Sequence, residues 1–157
     1  MAGVPPGGGG APAPANPERT KSNPPAWAKY QEALVAVRNK NSAVLDQLFP
    51  DGLEHHNCDF AVWPRQKKLI HWCCQYDFVE GVQFFLDKGV DVFCVDSKGN
   101  QPVHTAAYYG AVDVLKHLVE TGADPLARNA LDETAKGAAS NGNAPRCQDC
   151  VIYLEQL

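Results

Sequence analysis

The sequence predicts an all-α solenoid of about four helix-turn-helix units with short hairpin-like turns, and two observations carry that prediction. Asp96 to Leu126, DSKGNQPVHTAAYYGAVDVLKHLVETGADPL, slides back by 33 residues onto an earlier stretch with its punctuation intact. His104 then falls on His71, Ala106 and Ala107 on Cys73 and Cys74, Val112 on Val79, Leu115 on Val82, Leu118 on Phe85, and Gly122 on Gly89. Each copy also carries two apolar stripes at helical spacing. One unit cannot bury both stripes alone, so units must stack on one another.

In chain order, residues 1–25 are Gly, Pro and Ala with four consecutive glycines at Gly7 to Gly10, and are expected to form a disordered leader. The repeat domain is expected over 26–157. Its first unit, about 26–52, opens with Trp27, Tyr30, Leu34 and Val37 in one helical stripe, followed by Val44, Leu45, Leu48 and Phe49 before Pro50 and Gly52. Ala36 and Val37 match Cys73 and Cys74 at an offset of 37, which leaves an irregular connection at 53–62. Phe60 and Trp63 either fold over the groove between the first two units or, for Trp63, present an anchor to a partner.

The second unit, about 63–95, keeps only the histidine of the third unit's Pro-Val-His stretch. Its second helix is heavy (Val79, Val82, Phe85, Leu86) where its first is light (Cys73, Cys74), which predicts a compensated core. In the third unit, about 96–128, Asp96 to Gly99 suits a tight turn. Pro102 fits a first helical turn, where its missing N–H costs nothing. Val103, Ala106 and Ala107 make a thin apolar face, and Gly110 ends that helix. Val112, Leu115, Leu118 and Val119 follow, with Gly122 where a C-cap needs a left-handed residue. The fourth unit, about 129–157, drifts: Gly137 stands for the histidine, Asn143 for Gly110, and the turn before the final helix lengthens. The two end units read as caps.

Gln101-Pro102-Val103-His104-Thr105-Ala106-Ala107 resembles the T-P-L-H-x-A-A signature of the ankyrin-repeat family. The resemblance implies a non-catalytic protein-interaction module, an adaptor or scaffold, that binds through a concave face of hairpin tips and first helices. It also implies that His71 and His104 are structural hydrogen-bonders between turn and helix. Carried over position by position, the partner-binding residues are Arg65, Lys67, Gln75, Tyr76, Ser97, Lys98, Asn100, Tyr108, Tyr109, Arg128, Leu131 and Glu133, with Ala130 and Asn141 beside them. Basic and tyrosine side chains on an acidic chain point to a protein segment with acidic and apolar residues. Two alternatives stand beside this reading: a structural subunit built into a larger complex, and nucleic-acid binding through the basic face.

Composition narrows the choice. A net charge of −4 argues against nucleic-acid binding by overall field, and no apolar run approaches the roughly 20 residues a bilayer needs. Six cysteines show no compact disulfide framework, so thiols and a cytosolic or nuclear setting are expected. His55-His56-Asn57-Cys58-Asp59 and Cys147-x-x-Cys150 lie in opposite end units, so no metal site is expected of them. No phosphate-cradling glycine loop or Ser/His/Asp set is visible, so neither enzymatic activity, small-molecule substrate nor cofactor is expected.

Overall fold

The computed structural model describes residues 24–51 and 67–157. Residues 1–23 of the expected leader, the whole 53–62 connection with the His55–Asp59 cluster and Phe60, then Trp63, Arg65 and the Trp27 side chain lie outside the described part. The described residues form eight α-helices and no β-strand: α1 Pro24–Arg38, α2 Ser42–Leu48, α3 Leu69–Gln75, α4 Val79–Asp87, α5 Pro102–Tyr108, α6 Val112–Glu120, α7 Ala135–Asn141 and α8 Cys147–Glu155. Consecutive helices fold back on each other as four pairs. The first members α1, α3, α5 and α7 pack in succession as one layer, and α2, α4, α6 and α8 as the other.

Small residues let the first layer close up. Ala33, Ala36 and Val37 of α1, Cys73 and Cys74 of α3, Val103, Ala106 and Ala107 of α5, and Ala135, Ala138 and Ala139 of α7 are all buried. In α1 the buried face is shifted from the expected stripe: Leu34 is only partly buried, and Ala33 and Ala36 join Tyr30 and Val37 in the core. The second layer carries the bulk, with Leu45, Val82, Phe84, Phe85, Val114, Leu115 and Leu118 buried.

The corners between paired helices share one hydrogen-bond pattern. Ala111 N–H reaches the Ala106 carbonyl and Gly110 N–H the Ala107 carbonyl, the paired closure of a helix that ends in a left-handed residue. Phe78 and Asp77 repeat it on Cys73 and Cys74, and Asn41 and Lys40 on Ala36 and Val37. Gly110 (φ 69), Asp77 (φ 51) and Lys40 (φ 52) therefore occupy one structural position, with the offset of 37 between the first two units visible in their bonding. The fourth corner departs from the expected match of Asn143 with Gly110. There α7 closes on Gly142 with φ −75 and ψ 148, so no left-handed residue is used. The extended chain passes so close to α5 that a Cβ at this position would overlap the Tyr108 carbonyl, which is why it is a glycine.

Candidate interaction ridge

The face expected to bind is assembled from two bonded layers. In the first, each signature histidine ties its helix to the next unit. His71 Nε2 lies 2.9 Å from the Asn100 carbonyl, and His104 Nε2 lies 3.2 Å from the equivalent Glu133 carbonyl and 2.9 Å from that of Ala127. His104 Nδ1 accepts from Gln101 N–H, so its Nε2 carries the proton and donates. Burial pushes His71 down to about 4, against the opposing pull of its bond to Asn100, and its Nδ1 has no hydrogen-bond partner. Both rings are consumed by structure, as the resemblance implies.

In the second layer, the turn tips lock by their own polar side chains. Asp96 accepts from the amides of Lys98 and Asn100, and Asn129, one period on, accepts from those of Leu131 and Glu133. Asn129 Nδ2 then bridges to Asn100 Oδ1 at 2.9 Å and to Glu133 Oε2 at 3.1 Å, and Asn141 Nδ2 reaches Glu133 Oε1 at 2.6 Å. Neighbouring tips also touch through backbone, Ala130 N–H to the Lys98 carbonyl, where a Cβ on Gly99 would come within 2.8 Å of Ala130 N. Gly99 and Asp132 (φ 61) are the left-handed residues of these tips.

Against this frame four aromatic rings gather on the first helices. Trp72 and Tyr76, one helical turn apart, stack with centroids 6.2 Å apart; Tyr108 and Tyr109 meet edge to face at 5.1 Å. Lys67 joins the two pairs. Its Nζ lies 2.7 Å from Gln75 Oε1, 3.2 Å from the Tyr109 hydroxyl, 5.1 Å from the Trp72 ring centre and 4.6 Å from that of Tyr109. Burial pushes the Tyr30 hydroxyl, on the neighbouring first helix, up to about 12.

The structure sorts the expected residues. Lys67 is corrected: it is buried, its ammonium spans two units, and it presents no cation to solvent. Asn100 and Glu133 are half-buried members of the turn ladder, and Gln75 is an acceptor for Lys67. Arg128 is exposed but paired with Asp132, carboxylate at 2.9 Å and carbonyl at 2.8 Å. That leaves the ridge less basic than the sequence count suggests, because Lys67 is turned inward and Arg128 is paired. Ser97, Lys98, Ala130 and Asn141 are exposed, as are Leu131 at 68% and Tyr108 at 40%, while Tyr76 and Tyr109 are half-exposed. Trp72 was missing from the sequence-derived set although it shares a helix face with Tyr76 at a spacing of four. Also exposed are Phe93 and Leu126, which occupy one repeat position and are each preceded by an Asp whose side chain caps their amide.

Among the described residues no cluster of three His, Cys, Asp or Glu side chains converges, and no helix is long and apolar enough to cross a membrane. Cys73, Cys74, Cys94, Cys147 and Cys150 are buried and unbridged. Burial pushes Cys73 and Cys74 well up, and Cys150 up to about 12, so these thiols stay protonated.

Residues 33–129 match the profile described as ankyrin repeats (3 copies). The chain is 31% identical over 108 residues to the Caenorhabditis elegans E3 ubiquitin-protein ligase hecd-1, an alignment that spans 68% of this chain and 4% of that protein. It is 25% identical over 101 residues to the Saccharomyces cerevisiae target of rapamycin complex 2 subunit AVO2, spanning 64% of this chain and 22% of that protein. It is 28% identical over 123 residues to the human SH3 and multiple ankyrin repeat domains protein 2, spanning 75% of this chain and 6% of that protein. The chain thus spans less than a quarter of the length of these relatives.

Proposed function

The chain belongs to the ankyrin-repeat family, and on that premise we propose that it is a non-catalytic adaptor or scaffold module that captures a protein segment along the ridge of first helices and turn tips. Ankyrin repeats are generally protein-interaction modules, and the relatives that are enzymes carry this similarity over a small part of their length. The observation that carries the residue-level reading is the group of four rings, Trp72, Tyr76, Tyr108 and Tyr109, joined by Lys67 with Tyr108 left exposed. Rings already fixed in place lose little rotamer freedom on binding, so their area converts efficiently into affinity. Leu131 extends the apolar contact and Lys98 supplies an exposed cation, which favours a segment rich in apolar residues with an acidic side chain near the tips. Five buried, unbridged cysteines support a reducing setting, cytosol or nucleus.

The test is capture from native lysate by the intact chain beside a Tyr108→Ala/Lys98→Glu double variant, read by mass spectrometry at two salt concentrations. Both substituted side chains are exposed, so the variant keeps its melting temperature. A protein held by the intact chain and lost at least tenfold by the variant supports the ridge. Equal capture by both refutes it, and binding that collapses with salt in both points to the nucleic-acid alternative.

A further inference from the structure

Behind the ridge, on the side of the corner loops, one polar chain runs through all four units. Lys40 Nζ donates to the Asp77 carbonyl at 2.9 Å. Asp77 Oδ1 accepts from Val114 N–H at 3.2 Å, capping a helix whose own N-cap, Ala111, offers no side-chain acceptor. Asp77 Oδ2 takes Arg146 Nη1 at 3.0 Å, and Arg146 Nη2 lies 3.3 Å from Asp113 Oδ2. Arg146 therefore reaches past the third unit to the second, a separation of 69 residues. Asp77 holds a left-handed conformation at the position Gly110 fills in the next unit. A glycine there would make neither bond. Arg146 also lies against Gly110, where a Cβ would come within 3.0 Å of the Arg146 carbonyl carbon, and Cys147 Sγ donates to the Tyr108 carbonyl at 3.1 Å.

We propose that Arg146, forked between Asp77 and Asp113, is a latch that ties the last helix pair to the second across the third and holds the corner carrying Tyr108 and Tyr109 in register. Without it the last unit touches only its immediate neighbour, as in an ordinary repeat array, and opens independently. With it, opening of α8 requires breaking bonds in two units, and the Gly110–Ala111 corner loosens with it. The guanidinium fork suits this task because its two nitrogens reach two carboxylates at once, which an ammonium on a flexible stem does not do. The latch does not rest on the ridge being a binding face.

Amide hydrogen exchange on the full chain tests it. Arg146→Ala and Asp77→Asn, the latter keeping both left-handed tolerance and an acceptor for Val114, are each expected to speed exchange in α8 and at Gly110 and Ala111 by about threefold, in line with an exposed charge pair of good geometry. The double variant should exchange no faster than Arg146→Ala alone, since that substitution already removes the link to Asp77. Arg146→Lys should lose part of the protection. The latch is overturned if both single variants protect α8 as the parent does, if their effects multiply in the double variant, or if Arg146→Lys retains full protection.

Discussion

The second and third units share an architecture and solve it differently. At the start of the second helix, the third unit places Ala111 and Val114 where the second places Phe78 and Gly81, all but Gly81 among the buried apolar core. A Cβ on Gly81 would come within 2.4 Å of the Phe78 ring, so the glycine leaves room for its aromatic neighbour. The third unit's histidine is bonded at both nitrogens and the second's at one. Its corner uses Gly110 freely, whereas the second uses Asp77 at a conformational cost and gains the Val114 and Arg146 bonds from it. What the two units share is geometry, and at these positions residue identity follows from pairs rather than positions.

The strongest way to break the comparison is to transplant half of a pair. Gly81→Val should cost about 3 kcal/mol or more through overpacking against Phe78, read as a lowered urea midpoint. Adding Phe78→Ala to install both of the third unit's residues should recover a substantial part. If the single variant is as stable as the parent, the pairing argument fails.

The next test concerns the second unit's His71. His71 is held neutral near its folded value of about 4, while the unfolded chain takes up a proton near the ordinary 6.5. The unfolded state thus binds more protons between these values, so the contribution is complete above about pH 6.5 and is lost as pH falls toward 4. Its full size is about 3 kcal/mol. Urea midpoints followed from pH 7 to 4 should fall more steeply in the parent than in His71→Gln.

A smaller effect sharpens the corner comparison. Asp77→Gly relieves a left-handed side chain but removes the cap on Val114 and the Arg146 bond, for a net loss of about 1 kcal/mol in thermal unfolding. A gain in stability would show that Asp77 is strain without return. Smallest of all, Tyr108→Ala should change stability by only about 0.5 kcal/mol, since Tyr108 is exposed, and any larger loss would mark the ring as structural rather than available to a partner.

Much of the fold was legible because a solenoid writes its architecture as a period. The match of His71 with His104, the alanines and cysteines of the first helices, and Gly110 and Gly122 at helix ends each follow from local rules about helix spacing and backbone freedom. The departures were partly legible too: the offset of 37 in the first unit reappears in the bonding of Lys40 and Asn41. The candidate face was read less completely. Position within the repeat placed Lys67 and Arg128 on it, but not where their charges would go. Trp72 carried a readable signal, its spacing to Tyr76, yet its place in the group comes from Lys67, which also reaches Tyr109 in the next unit.

By itself the sequence determined the helical periodicity and the stacking of units, since both depend on residues within one repeat or its immediate copy, and the family resemblance added the structural role of the signature histidines. Only the tertiary structure decided that Lys67 turns inward between two rings, that the fourth corner runs extended past Tyr108, and that Arg146 reaches Asp77. Those outcomes depend on distances between side chains in different units, and a repeat pattern does not encode which long polar side chain finds which partner across the stack.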